Sequence, residues 1–178
     1  MELPERKQNR ILDYDYSQNG AYFITICTKD RKPLLSDIEG DEAFIILKPY
    51  GEIAERWIRM ISEKYPQVTV DKYVIMPDHI HMVFRIDSVG EAFRLPCDSD
   101  AMQKDGTGNP SPTVGNIMGW YKYQVSKQIN QLRNTIGEKV FQRSYYDHVI
   151  RNQRDYEEIW EYIEKNPKRW LLKRRKWE

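Results

Sequence analysis

The chain has 178 residues, of which 40% are apolar, and this length and composition suit a single domain with a buried core. Its formal net charge is only +1, so a surface for nucleic acid or membrane would need locally clustered charges. The two cysteines, Cys27 and Cys97, lie far apart and outside any CxxC motif. This spacing argues against a disulfide scaffold and a cysteine zinc site, and it fits a reducing cytosol.

No segment has the character of a targeting or membrane-spanning sequence. The first residues are polar, and no apolar stretch typical of a signal peptide follows them. No apolar run approaches the roughly 18 residues that a transmembrane helix needs. We therefore expect a cytoplasmic protein without a membrane partner.

Hydrophobic periodicity divides the chain into alternating strands and helices. A polar basic arm at 1–19 precedes one domain at 20–170, and a basic tail with aromatic residues follows at 171–178. In chain order we predict a strand at 21–28, a short strand at 43–48, a helix at 51–65, strands at 67–76 and 79–86, a helix at 113–134, a strand at 147–150 and a helix at 152–166.

Turn and cap residues punctuate these elements. Pro77-Asp78 separates two strands closely enough to predict a hairpin. The Gly-, Pro- and Ser-containing stretch 87–112 has no periodicity and is predicted to be a flexible loop. Thr113 is the predicted cap of the second helix, and Pro167 is the predicted end of the last. The element order predicts an α+β sandwich with one mainly antiparallel sheet of four to five strands.

His79 and His81 stand one residue apart on a predicted strand. Because side chains alternate between the faces of a strand, both histidines share one face, and the apolar Ile80 and Met82 share the other. Their Cα atoms would lie roughly 6.5–7 Å apart, so both imidazoles could reach one divalent cation. A half-exposed strand that carries two histidines by chance explains the pattern equally well.

The last predicted helix carries a phenol beside its apolar face. That face is predicted from residues at helical spacing, which are Tyr156, Ile159, Trp160 and Ile163. Tyr162 lies about 110° from the centre of this face at ~100° per residue, and Asn166 shares its side one turn later. Spacing alone favours a packing or rim role for Tyr162 and an ordinary helix ending for Asn166.

These residues fall within segments that resemble the REP-associated tyrosine transposases, a branch of the single-tyrosine HUH transposases. HUH denotes His, a bulky hydrophobic residue and His. The matching segments are, in order, Gly20–Thr28, Val74–Met82, Val140–Asn152 and Asp155–Pro167. Met-Pro-x-His-x-His followed by a Tyr-Ile-x-x-Asn-Pro helix is a specific combination. The likeness covers roughly residues 10–170, apart from 87–112.

The resemblance implies a ferredoxin-like sheet with helices on one face, the HUH site on the other and a C-terminal helix that carries the nucleophile. It implies that His79, His81 and Asn166 hold a divalent cation, Mg²⁺ or Mn²⁺, and that Tyr162 is the nucleophile. Other tyrosines rank lower because none has an amide one turn later beside a proline; these are Tyr121, Tyr123, Tyr145 and Tyr146. His148, the third histidine, is given no catalytic role.

The implied reaction is transesterification of single-stranded DNA through a 5′-phosphotyrosine intermediate. Such a link preserves the energy of the phosphodiester, so the strands can rejoin without ATP. Tyrosine ordinarily titrates near pH 10, and a divalent cation is expected to assist at neutral pH by polarising the phosphate. The implied substrate is a palindromic repeat folded as a hairpin, and the enzyme would act as a monomer or homodimer.

Contacts with DNA are expected from clustered basic residues. The expected residues are Arg6, Lys7, Arg10, Arg143, Arg151, Lys168, Arg169, Arg174 and Arg175. Solvated charged ends without a binding role would leave the same clusters at the termini. Three other functions stay open: an inactive protein that binds repeats, a related HUH nuclease of replication or plasmid relaxation, and a metal-dependent hydrolase without a covalent step.

Overall fold

The structure is a computed structural model that describes residues 19–87 and 112–174, with only the backbone of Arg174. Its elements follow in chain order as β1 (Gly20–Cys27), β2 (Ser36–Glu39), β3 (Phe44–Leu47), α1 (Pro49–Lys64), β4 (Val68–Ile75), β5 (His79–Ile86), α2 (Val114–Leu132), β6 (Tyr146–Ile150) and α3 (Gln153–Arg174). A short 3₁₀ turn at Lys29–Arg31 follows β1.

Four of the strands form one antiparallel sheet in the order β4-β5-β1-β6. The two central strands, β5 and β1, are the histidine strand and the first strand of the chain. With α1 and α2 as the connections, this is the βαββαβ arrangement of a ferredoxin-like sandwich. The predicted α+β class and mainly antiparallel sheet are therefore confirmed, with four strands in the main sheet.

One face of the sheet is covered by α1 and α2. The β5 residues Ile80, Met82 and Phe84 are fully buried there, as strand alternation predicted. They pack with the apolar residues of both helices, among them Ile58 of α1 and Ile117 of α2. This larger core fixes which way β5 faces, and it therefore sends His79 and His81 to the opposite side.

The opposite face of the sheet is covered in part by α3. Phe23 of β1 and Val83 of β5 form a second, smaller apolar cluster with Ile159 and Ile163 of the helix. Trp160, predicted to lie in the core, is instead 36% exposed, with the Lys72 ammonium 4.1 Å from its ring centroid. The apolar face of α3 is thus narrower than its spacing suggested, and the helix lies across the sheet as a partial cover.

The strand predicted at 43–48 does not join the main sheet. It is β3, and it pairs antiparallel with β2, a strand that the sequence pattern did not predict. With only four residues, Ser-Asp-Ile-Glu, β2 is too short to show a clear alternation. The pair forms a small separate hairpin between β1 and α1, and its Ile38 and Ile45 pack against the cluster beneath α3.

The predicted end of the last helix at Pro167 is wrong. The helix continues through Pro167 to Arg174. A proline inside a helix lacks the N–H that would bond to the carbonyl four residues earlier, and its ring crowds the preceding turn, at a cost of about 3 kcal/mol. Trp170 packs against the apolar cluster on the sheet, and this tertiary contact offsets the local cost.

Other boundaries agree with the sequence to within a few residues. Thr113 caps α2 as predicted, because its side-chain oxygen accepts the backbone N–H of Asn116. The predicted arm at 1–19 and loop at 87–112 lie almost wholly outside the described residues. In the parts that are described, no helix is both long and apolar enough to span a membrane.

Gly51 of α1 packs closely against the backbone of Leu35, the residue before β2. A Cβ atom at this position would lie 2.0 Å from the backbone oxygen of Leu35, whereas one at Gly119 of α2 would meet nothing within 4 Å. We expect Gly51→Ala to lower the free energy of unfolding by about 2–3 kcal/mol. Gly119→Ala should raise it by about 0.5–1 kcal/mol, because alanine favours a helix interior. Urea denaturation of both variants measures these changes, and equal stabilities would contradict the packing.

Candidate active site

The two histidines lie at the start of β5, immediately after the Pro77-Asp78 turn of the predicted hairpin. Both are buried, with 7% of His79 and 4% of His81 exposed. Their ring centroids are 4.6 Å apart, with an angle of 74° between the planes. The predicted juxtaposition of two imidazoles on one face of the strand is therefore present in the structure.

His81 is held by two residues of the neighbouring strand β1. Its Nδ1 lies 2.8 Å from the hydroxyl oxygen of Thr25, the residue paired with it across the strands. Phe23 stacks on its ring at a centroid distance of 5.2 Å. Burial, with smaller effects of the neighbouring charges of His79 and Arg31, lowers the pKa of His81 from 6.5 to about 3. The ring is therefore neutral at physiological pH.

His79 is held by the residue that precedes it. Its Nδ1 lies 2.5 Å from a carboxylate oxygen of Asp78, which is itself buried. Arg31 approaches the other oxygen of that carboxylate at 3.5 Å. The indole of Trp170 covers the His79 ring at a centroid distance of 5.9 Å.

Each imidazole therefore uses its Nδ1 for an oxygen of the protein. A histidine that binds a metal usually donates its other ring N–H to a carboxylate, carbonyl or hydroxyl, and this contact fixes its tautomer and orientation. With Nδ1 of His79 paired to Asp78 and Nδ1 of His81 paired to Thr25, Nε2 is the ring nitrogen that each histidine could offer to a ligand. Two imidazoles supported in this way could hold a divalent cation.

Tyr162 of α3 stands directly beside this pair. Its hydroxyl oxygen is 3.5 Å from Nε2 of His81, and its ring meets the His81 ring at a centroid distance of 5.2 Å. The edge of its ring packs on Phe23, and the guanidinium of Arg169 lies 5.5 Å from its centroid on α3. The residue is nonetheless 37% exposed, so the phenol is both fixed by packing and accessible to a substrate.

Asn166 lies on α3 between the two residues that touch the histidines. It is one turn after Tyr162, which contacts His81, and one turn before Trp170, which contacts His79. Residues four apart on a helix share a side, so Asn166 lies on the side of α3 that also carries Tyr162 and Trp170. It is 8% exposed, and a buried amide there can offer an oxygen to a cation.

The tyrosines ranked below Tyr162 occupy other places. Tyr121 is fully buried between α1 and α2, where its hydroxyl donates to the carbonyl of Ala54. Tyr123 is 61% exposed on α2. Tyr146 lies on the edge strand β6, where it pairs with Thr25 of β1. It therefore shares the histidine face, but β1 separates it from His81 of β5. Tyr145 precedes β6 and packs against the larger core.

His148 makes a contact that the sequence did not indicate. Its Nε2 lies 2.9 Å and 3.1 Å from the two carboxylate oxygens of Asp155, in the first turn of α3. Asp155 also accepts the backbone N–H of Arg151, and its own N–H donates to the side chain of Asn152. These contacts connect the end of β6 to the start of α3, which agrees with a structural role for His148.

The basic residues predicted to contact DNA are only partly described. Arg143 and Arg151 are exposed, one before β6 and one after it, and Lys168 and Arg169 are exposed on α3. Arg169 also lies over the Tyr162 ring, so it belongs to the site itself. Arg6, Lys7, Arg10 and Arg175 lie outside the described residues, as does the side chain of Arg174.

Sequence reasoning missed Thr25, Asp78, Trp170 and Arg31 as parts of the site. Asp78 could have been found, because an acidic residue directly before a ligand histidine is a natural orienting partner. Thr25 depends on the strand register and Trp170 on the continuation of α3 beyond Pro167, neither of which the sequence revealed. Arg31 depends on the turn after β1, where Asp30 and Arg31 have φ values of 56° and 55°.

Two imidazoles and one amide are the groups at this site that could hold a divalent cation. In the described part of the chain, no group of three or more His, Cys, Asp or Glu side chains has the arrangement to hold a metal. Asn166 is an amide and falls outside that set. Two imidazoles with one amide oxygen could hold Mn²⁺ or Mg²⁺ and would leave coordination positions open for a substrate.

Comparison with known proteins agrees with the fold class and with the family resemblance of the sequence segments. The chain is 34% identical over 169 residues to an uncharacterized protein of Haemophilus influenzae, covering 94% of this chain and 91% of that one. It is 27% identical over 158 residues, 86% of this chain and 73% of the other, to an H. influenzae protein named "Putative REP-associated tyrosine transposase". No protein-family model matches the chain.

The fold is shared with a solved structure of a REP-associated tyrosine transposase bound to a REP hairpin. The TM-score is 0.51 at 17% sequence identity, over 94% of this chain and 73% of that one. The fold and the paired histidines beside a helical tyrosine define a protein that resembles the REP-associated tyrosine transposases, as the sequence segments indicated. The chain belongs to one family with the H. influenzae relative to which it is 34% identical.

The low pKa of His81 predicts how stability depends on pH. Because the folded ring binds a proton only near pH 3 and the unfolded ring near 6.5, the unfolded state binds more protons between these values. Stability from the neutral ring is present above pH 6.5 and is lost as the pH falls through this window. We expect wild type to lose about 3 kcal/mol more than His81→Gln between pH 7 and pH 4, measured by urea denaturation in chelator. Parallel pH profiles of the two proteins would show that the ring is not buried as described.

Proposed function

We propose that the protein is a metal-dependent tyrosine transposase that cuts and rejoins single-stranded DNA at hairpin-forming repeats. The observation that carries the proposal is the position of the Tyr162 hydroxyl, 3.5 Å from Nε2 of His81 and open to solvent at the edge of α3. A nucleophile needs this combination of a fixed position and access to its target. The sequence likeness to a REP-associated tyrosine transposase supports the same class of reaction.

The proposed step is an in-line transesterification. The phenolic oxygen of Tyr162 attacks the phosphorus of a DNA phosphodiester, and the bond from phosphorus to the 3′-oxygen breaks. The phenolic proton is lost to solvent, and the departing 3′-oxygen takes up one proton, so that protons and charge balance. A 5′-phosphotyrosine link and a free 3′-hydroxyl result. Attack by a 3′-hydroxyl on this link reverses the step and joins two strands.

His81 acts in this scheme as a ligand rather than as a general base. A base with a pKa of about 3 holds too little affinity for a proton to take one from a phenol at neutral pH. The same loss of basicity keeps the ring neutral, which is the form that binds a metal. The guanidinium of Arg169, 5.5 Å from the Tyr162 ring, favours the negative charge that develops on the phenolic oxygen as the proton leaves.

His79, His81 and Asn166 would hold the cation, with Mg²⁺ or Mn²⁺ as the ion. When bound, a divalent cation supplies a positive charge that polarises a non-bridging phosphate oxygen and favours its attack. Asp78 and Thr25 fix the orientation of the two imidazoles through their Nδ1 atoms, and the indole of Trp170 shields the His79 ring from water. The cluster beneath α3 holds Tyr162 at a fixed distance from this point.

The DNA partner is proposed from the charges around the site and from the structural neighbour. The solved structure of similar fold is bound to a REP hairpin. In this chain, Lys168 and Arg169 are exposed on the part of α3 that follows the nucleophile, and Arg143 and Arg151 are exposed at the two ends of β6. Phosphate contacts by such residues would place a strand along the histidine face without reading its sequence.

Metal binding tests the ligand assignment without any need for activity. We expect isothermal titration calorimetry with Mn²⁺ to detect one site in wild type that His79→Ala or His81→Ala removes. Thr25→Val, which keeps the shape of the side chain but removes the hydroxyl that orients His81, should weaken binding by about 10- to 100-fold. Thr69→Val, at an exposed position of β4, is the matched control. Unchanged affinity in the two histidine variants would refute the site.

Cleavage tests the role of Tyr162. Wild type with Mn²⁺ and a 3′-labelled hairpin oligonucleotide should give a labelled fragment covalently attached to the protein on a denaturing gel. Tyr162→Phe should reduce this adduct by at least about 10³-fold, because removal of a nucleophile leaves only binding and electrostatic effects. Tyr123→Phe, at an exposed tyrosine on α2, should retain full activity.

The same gel separates the competing functions. Cleavage without an adduct, undiminished in Tyr162→Phe, would indicate a hydrolase. Binding of the hairpin without cleavage would indicate an inactive repeat-binding protein. Cleavage of unstructured strands in preference to hairpins would favour a replication or relaxation nuclease.

A further inference from the structure

Arg31 is a cation at the opposite end of the site from Tyr162. Its guanidinium lies 3.5 Å from Asp78, the residue that orients His79, and its side chain is 53% exposed. Arg31 follows Asp30 in the turn after β1, and both residues have the left-handed backbone conformation that side chains other than glycine rarely adopt. Such backbone strain persists only where the surrounding structure holds it.

The carboxylates near Arg31 leave most of its hydrogen-bonding capacity available. Asp78 makes its closer contact, at 2.5 Å, with His79, and Asp30 pairs with Lys29. An arginine fork carries five N–H donors in a geometry that matches two oxygens of a phosphate. The one described contact of the Arg31 side chain is the 3.5 Å approach to Asp78, so several donors remain for an incoming anion.

The surroundings of Arg31 are basic. The segment at 140–142 runs beside the end of β1, with hydrogen bonds from Lys29 N–H to the carbonyl of Val140 and from Gln142 N–H to the carbonyl of Cys27. This pairing places exposed Arg143 near the same end of the sheet. The Lys122 ammonium donates to the carbonyls of Gln142 and Arg143 and so fixes the segment. The His79 end of the site therefore has a positively charged rim.

The site has a direction along the strands. Tyr162 contacts His81 and Phe23, whereas Arg31 lies beyond His79 at the other end. An in-line displacement puts the attacking and leaving oxygens on opposite sides of the phosphorus. An attack by Tyr162 from the His81 end along the strand direction sends the departing 3′-oxygen, and the strand that carries it, toward the His79 end.

From this direction we infer that Arg31 binds a backbone phosphate of the DNA strand on the 5′ side of the cut, the strand that departs with the 3′-hydroxyl. The inference rests on the proposed tyrosine chemistry, and it says which residue binds the DNA strand that is not attached to Tyr162. By holding that strand after cleavage, Arg31 keeps the 3′-hydroxyl close to the phosphotyrosine, so that rejoining competes with loss of the strand.

Binding measurements with a series of hairpin oligonucleotides test this inference independently of cleavage. Each oligonucleotide carries one uncharged methylphosphonate at a different position around the scissile bond, and Tyr162→Phe protein keeps it intact. We expect one position 5′ of the bond to lower affinity about tenfold by fluorescence anisotropy, the usual scale for loss of one charge-assisted hydrogen bond. In the Tyr162→Phe background, Arg31→Ala should lower the affinity for unmodified DNA about tenfold. The methylphosphonate at that one position should then have no further effect on affinity, whereas the effects at the other positions should persist.

Arg59→Ala is the matched control, because Arg59 is an exposed arginine on α1, across the sheet from the site. It should leave the whole methylphosphonate profile unchanged. The inference would be overturned if Arg31→Ala left the effect of every methylphosphonate 5′ of the bond unchanged. It would also be overturned if Arg31→Ala removed the effect of a methylphosphonate on the 3′ side instead. If Arg31→Ala lowers affinity equally for all oligonucleotides, Arg31 acts only through Asp78, and the inference is again wrong.

The covalent adduct assay distinguishes this result from a failure of the proposed function. If wild type forms no adduct but the binding series still shows an Arg31-dependent phosphate position, the proposed tyrosine chemistry is wrong and the phosphate contact of Arg31 stands. At saturating DNA, the inference expects that wild type and Arg31→Ala both form the adduct, and that the fraction of adduct that rejoins is smaller in Arg31→Ala.

Discussion

The structure of the site depends on the burial of two imidazoles on the face of the sheet that α3 covers. Burial removes both rings from water, and each Nδ1 instead contacts a protein oxygen, Asp78 for His79 and Thr25 for His81. The larger core beneath α1 and α2 fixes the orientation of β5, and so fixes the face on which the rings lie. The hydrophobic pattern of one strand thereby determines where chemistry can take place.

The continuous helix α3 brings the remaining groups to that pair. Ile159 and Ile163 pack the helix against the sheet, and beside them Tyr162 contacts His81 and Trp170 contacts His79. Asn166 lies on α3 between these two residues, one turn from each. A helix that ended at Pro167 would leave His79 without its indole cover. Pro167 destabilises α3 locally, but the continuation of the helix past Pro167 is what places Trp170 on His79.

The fold and the histidine face could be predicted because both follow from strong local patterns. Alternation along β5 and helical spacing in α1 and α2 specify their elements almost without tertiary context. The β2–β3 hairpin was missed because four residues are too few to show a period, and Pro167 was misread because tertiary packing overrode local propensity. Thr25 and Arg31 required strand register and a left-handed turn, which arise only when distant segments meet.

The most direct test of this account is a crystal structure of the protein grown with Mn²⁺, with the ion located by its anomalous scattering. The account predicts one ion within roughly 2.0–2.2 Å of Nε2 of both His79 and His81, with the Asn166 amide oxygen as third protein ligand and the Tyr162 hydroxyl beside it. An ion bound elsewhere, or histidines that present Nδ1 to it while Asp78 and Thr25 turn away, would contradict it.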